Sequence, residues 1–184
     1  MIPCYITGKG MHASATTWSF KTGIIAMLEE SGLGFDTRHH YYRQQFPDMD
    51  NAELARLICD PMEYYDLDWP AYRDQRTADY SEEQAATEFM LRLDNRFRDQ
   101  AQAVIACYDE AGFGSGVNAM VFLQAEKPIL GFYNREALGK SINLSNILQL
   151  GIAYPELFTL HKYQHPDEIP GIAKAWLENL SPKS

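Results

Sequence analysis

Positive charge is short in this 184-residue sequence: 16 lysines and arginines stand against 25 aspartates and glutamates, for a formal net charge of -9. A protein that tracks a nucleic-acid backbone gains affinity by neutralising phosphates with Lys and Arg, so the balance argues against a polymer partner and favours a small or neutral ligand. Cysteine is scarcer still. Cys4, Cys59 and Cys107 lie far apart, form no CxxC pair and leave at least one thiol unpaired within the chain, a pattern that suits a reducing cytoplasm. Long apolar runs are missing: no window approaches the ~18 residues a membrane span requires, and the N-terminus lacks a basic region followed by an apolar stretch of secretory length. The sequence therefore predicts a cytoplasmic protein off the membrane. What it has is 46% hydrophobic residues, enough to fill the core of one domain spanning residues 1–184.

Residues 2–7 read as a short buried strand that ends at Gly8-Lys9-Gly10. From about Ala15 to Ser31 the apolar residues Phe20, Ile24, Met27 and Leu28 recur at helical spacing, with Gly32 and Gly34 as stops. A weak second strand is expected near residues 35–40. Residues 41–80 read as an irregular, aromatic and acidic insertion broken by Pro47, Pro61 and Pro70, with room for a short helix at 51–59. Ser81, followed by Glu82, Glu83 and Gln84, marks the N-cap and acidic first turn of a helix reaching about Arg98. Thereafter strands at 103–107, 128–133 and 157–160 alternate with helices at 115–125, 143–150 and 166–180. That alternation predicts a doubly wound, flavodoxin-like or Rossmann-like α/β fold: a parallel sheet of about five strands with helices on both faces. Ligands bind such sheets beyond the carboxyl ends of the strands, where the loops after Thr7, Tyr108 and Tyr133 converge.

The run Tyr108 to Asn118 lies at one of those ends, with Gly112, Gly114 and Gly116 in alternate positions. Glycines there let a ligand approach the backbone, and the following helix offers free N–H groups, although tight strand-to-helix turns also use glycine without binding anything. The first loop has glycines at 8 and 10 but not the GxxxxGK[ST] order of a P-loop, which disfavours a nucleoside triphosphatase. Asp94 could hold a sugar hydroxyl or move a proton; it could equally pair with Arg98 one turn on. His39, His40, His161 and His165 show no metal-ligand spacing, and Ser14, Ser115 and Ser141 stand in no nucleophile elbow, so neither a metal nor another cofactor is expected. Tyr41-Tyr42 and Tyr64-Tyr65 fit either a base-stacking lid or the packing of the insertion.

Three segments in one register resemble the nucleoside 2-deoxyribosyltransferases. The helix holding Ala86-Thr87 and Leu93-Asp94-Asn95 resembles the family helix that carries a substrate-binding aspartate. Gly114-Ser115-Gly116-Val117-Asn118 resembles the glycine-rich turn leading to the family nucleophile, and Gly139-Lys140-Ser141-Ile142-Asn143-Leu144 resembles a Gly-Lys-Pro-Ile-Asn-Leu segment. Nine residues separate 118 from Lys127 and twelve separate Lys127 from Gly139, intervals that match the family pattern. Tyr5-Ile6-Thr7-Gly8 is similar to the family's first strand and sugar-side loop. The match is close over about 80–144 and holds only in outline elsewhere.

The resemblance implies a deoxynucleoside with its sugar at the turn and its base under aromatic side chains. Tyr5, Gly8, Gly112, Gly114, Ser115 and Gly116 would contact it, and Asn143 would reach into a neighbouring subunit, which implies at least a dimer. In the family a glutamate attacks the anomeric carbon, as in retaining glycosidases. Here that position is Asn118, and Gly112 replaces a second carboxylate. An amide offers no negative charge to a developing oxocarbenium ion. Glu110 and Asp109 are the nearest candidates to substitute, unless they are solvated loop acids. The sequence thus leaves three functions open: transfer or hydrolysis of an N-glycosidic bond, nucleoside or nucleotide binding without turnover, and a flavodoxin-like flavin or phosphate site.

Overall fold

Strands whose alternate side chains both point into apolar surroundings have to be covered on two faces, and such segments form the centre of a five-stranded sheet here, between two more exposed edge strands. A computed structural model describes residues 1–8, 14–37, 69–134 and 144–180. The chain divides into two compact units, one formed by residues 1–38 and 100–184 and the other by residues 39–99.

The first unit holds strands β1 (Ile2–Thr7), β2 (Gly34–Asp36), β3 (Ala103–Cys107), β4 (Ile129–Tyr133) and β5 (Phe158–Lys162). All neighbours are parallel and the order is β2-β1-β3-β4-β5. Helices α1 (Ala15–Ser31), α4 (Phe113–Gln124), α5 (Leu144–Ala153) and α6 (Glu168–Leu180) complete it, while α2 (Trp69–Arg76) and α3 (Glu82–Gln100) belong to the 39–99 segment. This is the doubly wound α/β fold.

Alternation along each strand sets the two layers. Cys4, Ile6, Ile105, Leu130 and Phe132 form one cluster with Phe20, Ile24 and Leu28 of α1 and Ile169, Ala173 and Leu177 of α6. On the opposite face Tyr5 packs its ring on Phe122 of α4, centroids 4.9 Å apart, and Tyr108 meets Phe158 at 5.9 Å. Each large side chain buried this way contributes about 1.5–3 kcal/mol. Two glycines make the packing possible. A Cβ at Gly34 would lie 2.4 Å from the Ile2 carbonyl oxygen, and one at Gly131 would lie 2.5 Å from the Tyr108 ring, which crosses β4 there.

Local chemistry fixes the helix ends. Ser14 caps α1 by accepting a hydrogen bond from the Thr17 amide at 3.4 Å, and Gly32, at φ 63°, ends it by donating to the Leu28 carbonyl at 3.0 Å. Before α3, the Ser81 hydroxyl accepts from the Gln84 amide at 3.2 Å and the Ser81 amide donates to the Gln84 side chain at 3.0 Å, a reciprocal capping box.

Two expectations need correction. The segment read as irregular up to residue 80 contains α2, because Pro70 sits in a first turn, where no intrahelical N–H bond is required. The glycine run is less of a loop than expected: α4 begins at Phe113 rather than Ser115, so Gly114 and Gly116 lie in its opening turns and Gly112 is its N-cap. The second strand is confined to Gly34–Asp36 among the described residues. The helix expected at 51–59 and the tyrosines at 41, 42, 64 and 65 lie outside those residues. Among the described residues no helix is long and apolar enough to cross a membrane.

In the 39–99 unit, Trp69 and Tyr72 of α2 meet Phe89 of α3, each with centroids 5.3 Å apart. Glu88 joins the helices, accepting from Arg76 at 2.8 Å and Arg92 at 3.2 Å.

Candidate functional site

The order β2-β1-β3 places a topological switch point between β1 and β3, since the chain leaves those two strands in opposite directions. Their carboxyl ends pack closely. A Cβ at Gly8 would stand 3.2 Å from the Thr17 methyl and 3.4 Å from the Cys107 Cβ, a tight fit that glycine relieves.

Two acids leave β3 directly, and each is held by specific partners. Asp109 is buried, with Oδ1 accepting from the Asn134 amide at 2.6 Å and Oδ2 accepting from the Tyr163 hydroxyl. It ties together the ends of β3, β4 and β5. Burial raises its pKa above the usual carboxylate range, and the Tyr163 and Asn134 hydrogen bonds offset this only in part. Burial, and then the Asp109 charge, push the neighbouring Cys107 thiol up to about 12, which keeps it protonated and unreactive. Glu110 turns the other way. Its Oε2 accepts from the Ser14 amide at 3.0 Å, the Ser14 hydroxyl at 2.8 Å and the Thr17 hydroxyl at 2.6 Å, placing a negative charge at the positive end of α1. Each acid is thus held by specific partners, and three donors at the start of α1, the Ser14 amide and hydroxyl and the Thr17 hydroxyl, are engaged by the protein's own carboxylate.

The glycines of the turn differ from Gly8. Among the described residues nothing lies within 4 Å of a Cβ built at Gly112, Gly114 or Gly116, and none of the three has positive φ. Gly112 caps α4 in an extended conformation (φ -110°, ψ -168°) with no side-chain hydrogen bond to the helix. Packing and backbone geometry therefore do not demand glycine at these positions, while glycine inside a helix costs about 0.5–1 kcal/mol relative to alanine. Close approach of another molecule to the backbone is a physical reason for keeping them.

Helix α4 has two accessible sides. Gly112, Phe113, Gly116, Val117 and Met120, with Tyr108 and with Asn146 and Leu150 of α5, line an apolar groove of about 710 Å³. At 3.6 residues per turn Asn118 lies roughly 130° round the helix from the middle of that groove. It shares its side with Phe122, one turn on, which rests on Tyr5 of β1. Partly buried, Asn118 thus faces the β1 side of the switch point.

The structure brings Gly8, Glu110, Gly112, Gly114, Ser115, Gly116 and Asn118 to the carboxyl ends of β1 and β3. Tyr5 is fully buried against Phe122, a core position under α4. Asp94 belongs to the 39–99 unit and accepts a 2.6 Å hydrogen bond from Arg98, the i+4 pairing that its spacing allowed. Asn143 and the rest of the 139–143 segment lie outside the described residues, as does Ser141. Sequence reading missed the partners of the two acids. Tyr163 stands 54 positions from Asp109 and Ser14 stands 96 from Glu110, and no local pattern announces either contact. Neither a protein-family model nor a curated protein matches this chain.

Proposed function

We propose that the chain binds a nucleoside, with the sugar against the Gly112–Gly116 backbone and Asn118 beside it, in the manner of a deoxyribosyltransferase site that has given up its nucleophile. The supporting observation is the group of three glycines that neither packing nor φ requires, gathered at the switch point where α/β sheets take ligands. Binding is favoured over transfer because position 118 offers an amide, and the two nearby carboxylates are engaged with Tyr163, Asn134, Ser14 and Thr17. The engagement of Ser14 and Thr17 by Glu110 also makes a free nucleoside a better fit than a phosphorylated one. In this reading the protein is cytoplasmic and Asn143 completes a neighbouring subunit's site.

Calorimetric titration with purine and pyrimidine 2′-deoxynucleosides, ribonucleosides and their monophosphates tests it. Saturable binding of nucleosides is expected, with no base released on incubation. Absence of affinity for every nucleoside would sink the proposal. Turnover by the native chain would favour the second reading, transfer with Glu110 as the carboxylate, for which its place between the ends of β1 and β3 is the support. Asn118→Glu restores the charge the resemblance calls for. Release or exchange of a base by that variant is the expected outcome, and a variant that binds nucleoside without turnover would assign the lost chemistry to Gly112 as well.

A further inference from the structure

Strand β2 inverts the usual order of burial on one of its faces. Gly34 and Asp36 lie on the α1 side of the sheet: a Cβ at Gly34 would stand 3.2 Å from Leu28, and Asp36 pairs with Cys4 of the α1 cluster. Thr37 extends the ladder past β2, its amide donating to the Cys4 carbonyl at 2.8 Å, so Phe35 and Thr37 fall by alternation on the opposite side, that of Tyr5 and α4. On that side the phenylalanine is 47% exposed and the threonine only 7%. The buried Thr37 hydroxyl has no hydrogen-bond partner among the described residues, and within the first unit no other buried side-chain polar atom of those residues is left so. A hydroxyl taken out of water without a partner weakens the fold, and a ligand that supplies the partner is a reason to keep it.

We propose that Thr37 recognises the base of the bound nucleoside, its hydroxyl bonding to a polar edge of that base. This role rests on the nucleoside reading and adds to it the part of the ligand that the glycine turn does not hold. Only β1 separates β2 from β3, so β2 lies about 9.5 Å across the sheet from the strand that leads into the turn. A sugar against Gly112–Gly116, with Asn118 beside it, leaves the base to extend over the end of β1 towards β2. Thr37 stands in that direction and on the same side of the sheet as Tyr5 and Phe122, the side to which Asn118 turns. A hydroxyl both donates and accepts, so it meets an oxo or an amino group equally well. It carries no charge, as suits a neutral base.

Thr37→Val, close in shape and without the hydroxyl, tests it alongside Thr37→Ser, which keeps the hydroxyl. The readouts on the full chain are thermal unfolding without ligand and calorimetric titration with the 2′-deoxynucleosides of adenine, hypoxanthine, cytosine and uracil. Thr37→Val is expected to raise the melting temperature of the free protein by roughly 2–4 °C. It should also weaken each nucleoside that the wild type binds by about two- to tenfold, amino and oxo bases alike, while Thr37→Ser binds as the wild type does. A Thr37→Val protein that gains no stability has lost a hydroxyl already satisfied in the free chain, and that result overturns the proposal. Thr37→Ser losing as much affinity as Thr37→Val overturns it too, because shape and not hydrogen bonding is then what the ligand reads. A wild type without affinity for any nucleoside removes the nucleoside reading and this role together, whereas wild-type binding that Thr37→Val leaves unaltered removes Thr37 alone.

Discussion

A carboxylate taken out of water is stabilised only by the partners it finds, and at Asp109 the partners do not fully replace the solvent. Its folded pKa is raised by burial, so the folded state binds its proton more tightly than the unfolded state does, and the group's contribution to stability falls as pH rises above the ordinary aspartate value of 3.8. Asparagine at 109 keeps the shape and cannot titrate. The stability of the wild type minus that of Asp109→Asn, from urea unfolding at a series of pH values, should therefore decrease as pH rises above the ordinary aspartate range; an increase would mean that the hydrogen bonds outweigh burial. Gly34 makes a simpler case. Alanine there would set its Cβ 2.4 Å from a backbone oxygen of β1, which cannot swing away as a side chain can. Gly34→Ala should cost about 1–3 kcal/mol in the same assay. The sequence shows Gly34 only as a stop after α1; the close approach of β1 is a property of strand pairing. Asp109 likewise looks like one more loop acid until Tyr163 and Asn134 surround it.

Among the elements, α1 and α4 carry the site and differ in how they begin. Helix α1 starts on a serine cap reinforced by Glu110 from a distant loop, so Glu110→Gln, which removes the charge and keeps the shape, should lower stability by about 1 kcal/mol. Retention of full stability would reduce that contact to a spectator. Helix α4 begins with glycines and no side-chain cap. Gly114→Ala and Gly116→Ala have room for the added methyl and should raise stability by up to about 1 kcal/mol each while weakening nucleoside binding. Stability and binding moving in opposite directions separates a ligand-facing glycine from a structural one; unchanged binding in both variants would remove these glycines from the site. The helices themselves were legible: apolar spacing gave α1, and Ser81 with Gln84 marked the start of α3. The start of α4 was not, because glycine lowers helix propensity and Gly114-Ser115-Gly116 reads locally as a turn. The packing of Ala119, Phe122 and Leu123 on the sheet overrides that preference.

For the molecule as a whole, a ligand held at the β1–β3 switch point binds the folded state alone, so its affinity adds to global stability. A nucleoside at a hundredfold excess over its dissociation constant should stabilise the fold by about 2.7 kcal/mol and raise the melting temperature accordingly; an unmoved melting temperature would count against the site. Composition and periodicity by themselves determined the α/β class, the parallel sheet and the strands and helices of its core, because each depends on side chains a few positions apart that bury together. They also singled out the glycine run, while Asn118 stood out only through the resemblance to a family pattern. Tertiary structure alone decided which acids remain available: Asp109 and Glu110 are adjacent in sequence, yet one is drawn into the ends of β4 and β5 and the other to the start of α1. It also decided that Gly8 serves packing whereas Gly112, Gly114 and Gly116 do not, and that α4 turns Asn118 and the apolar groove in different directions. Contacts between residues some 25 to nearly 100 positions apart exist only once the sheet has set its strand order, and no local pattern in the chain can encode them visibly.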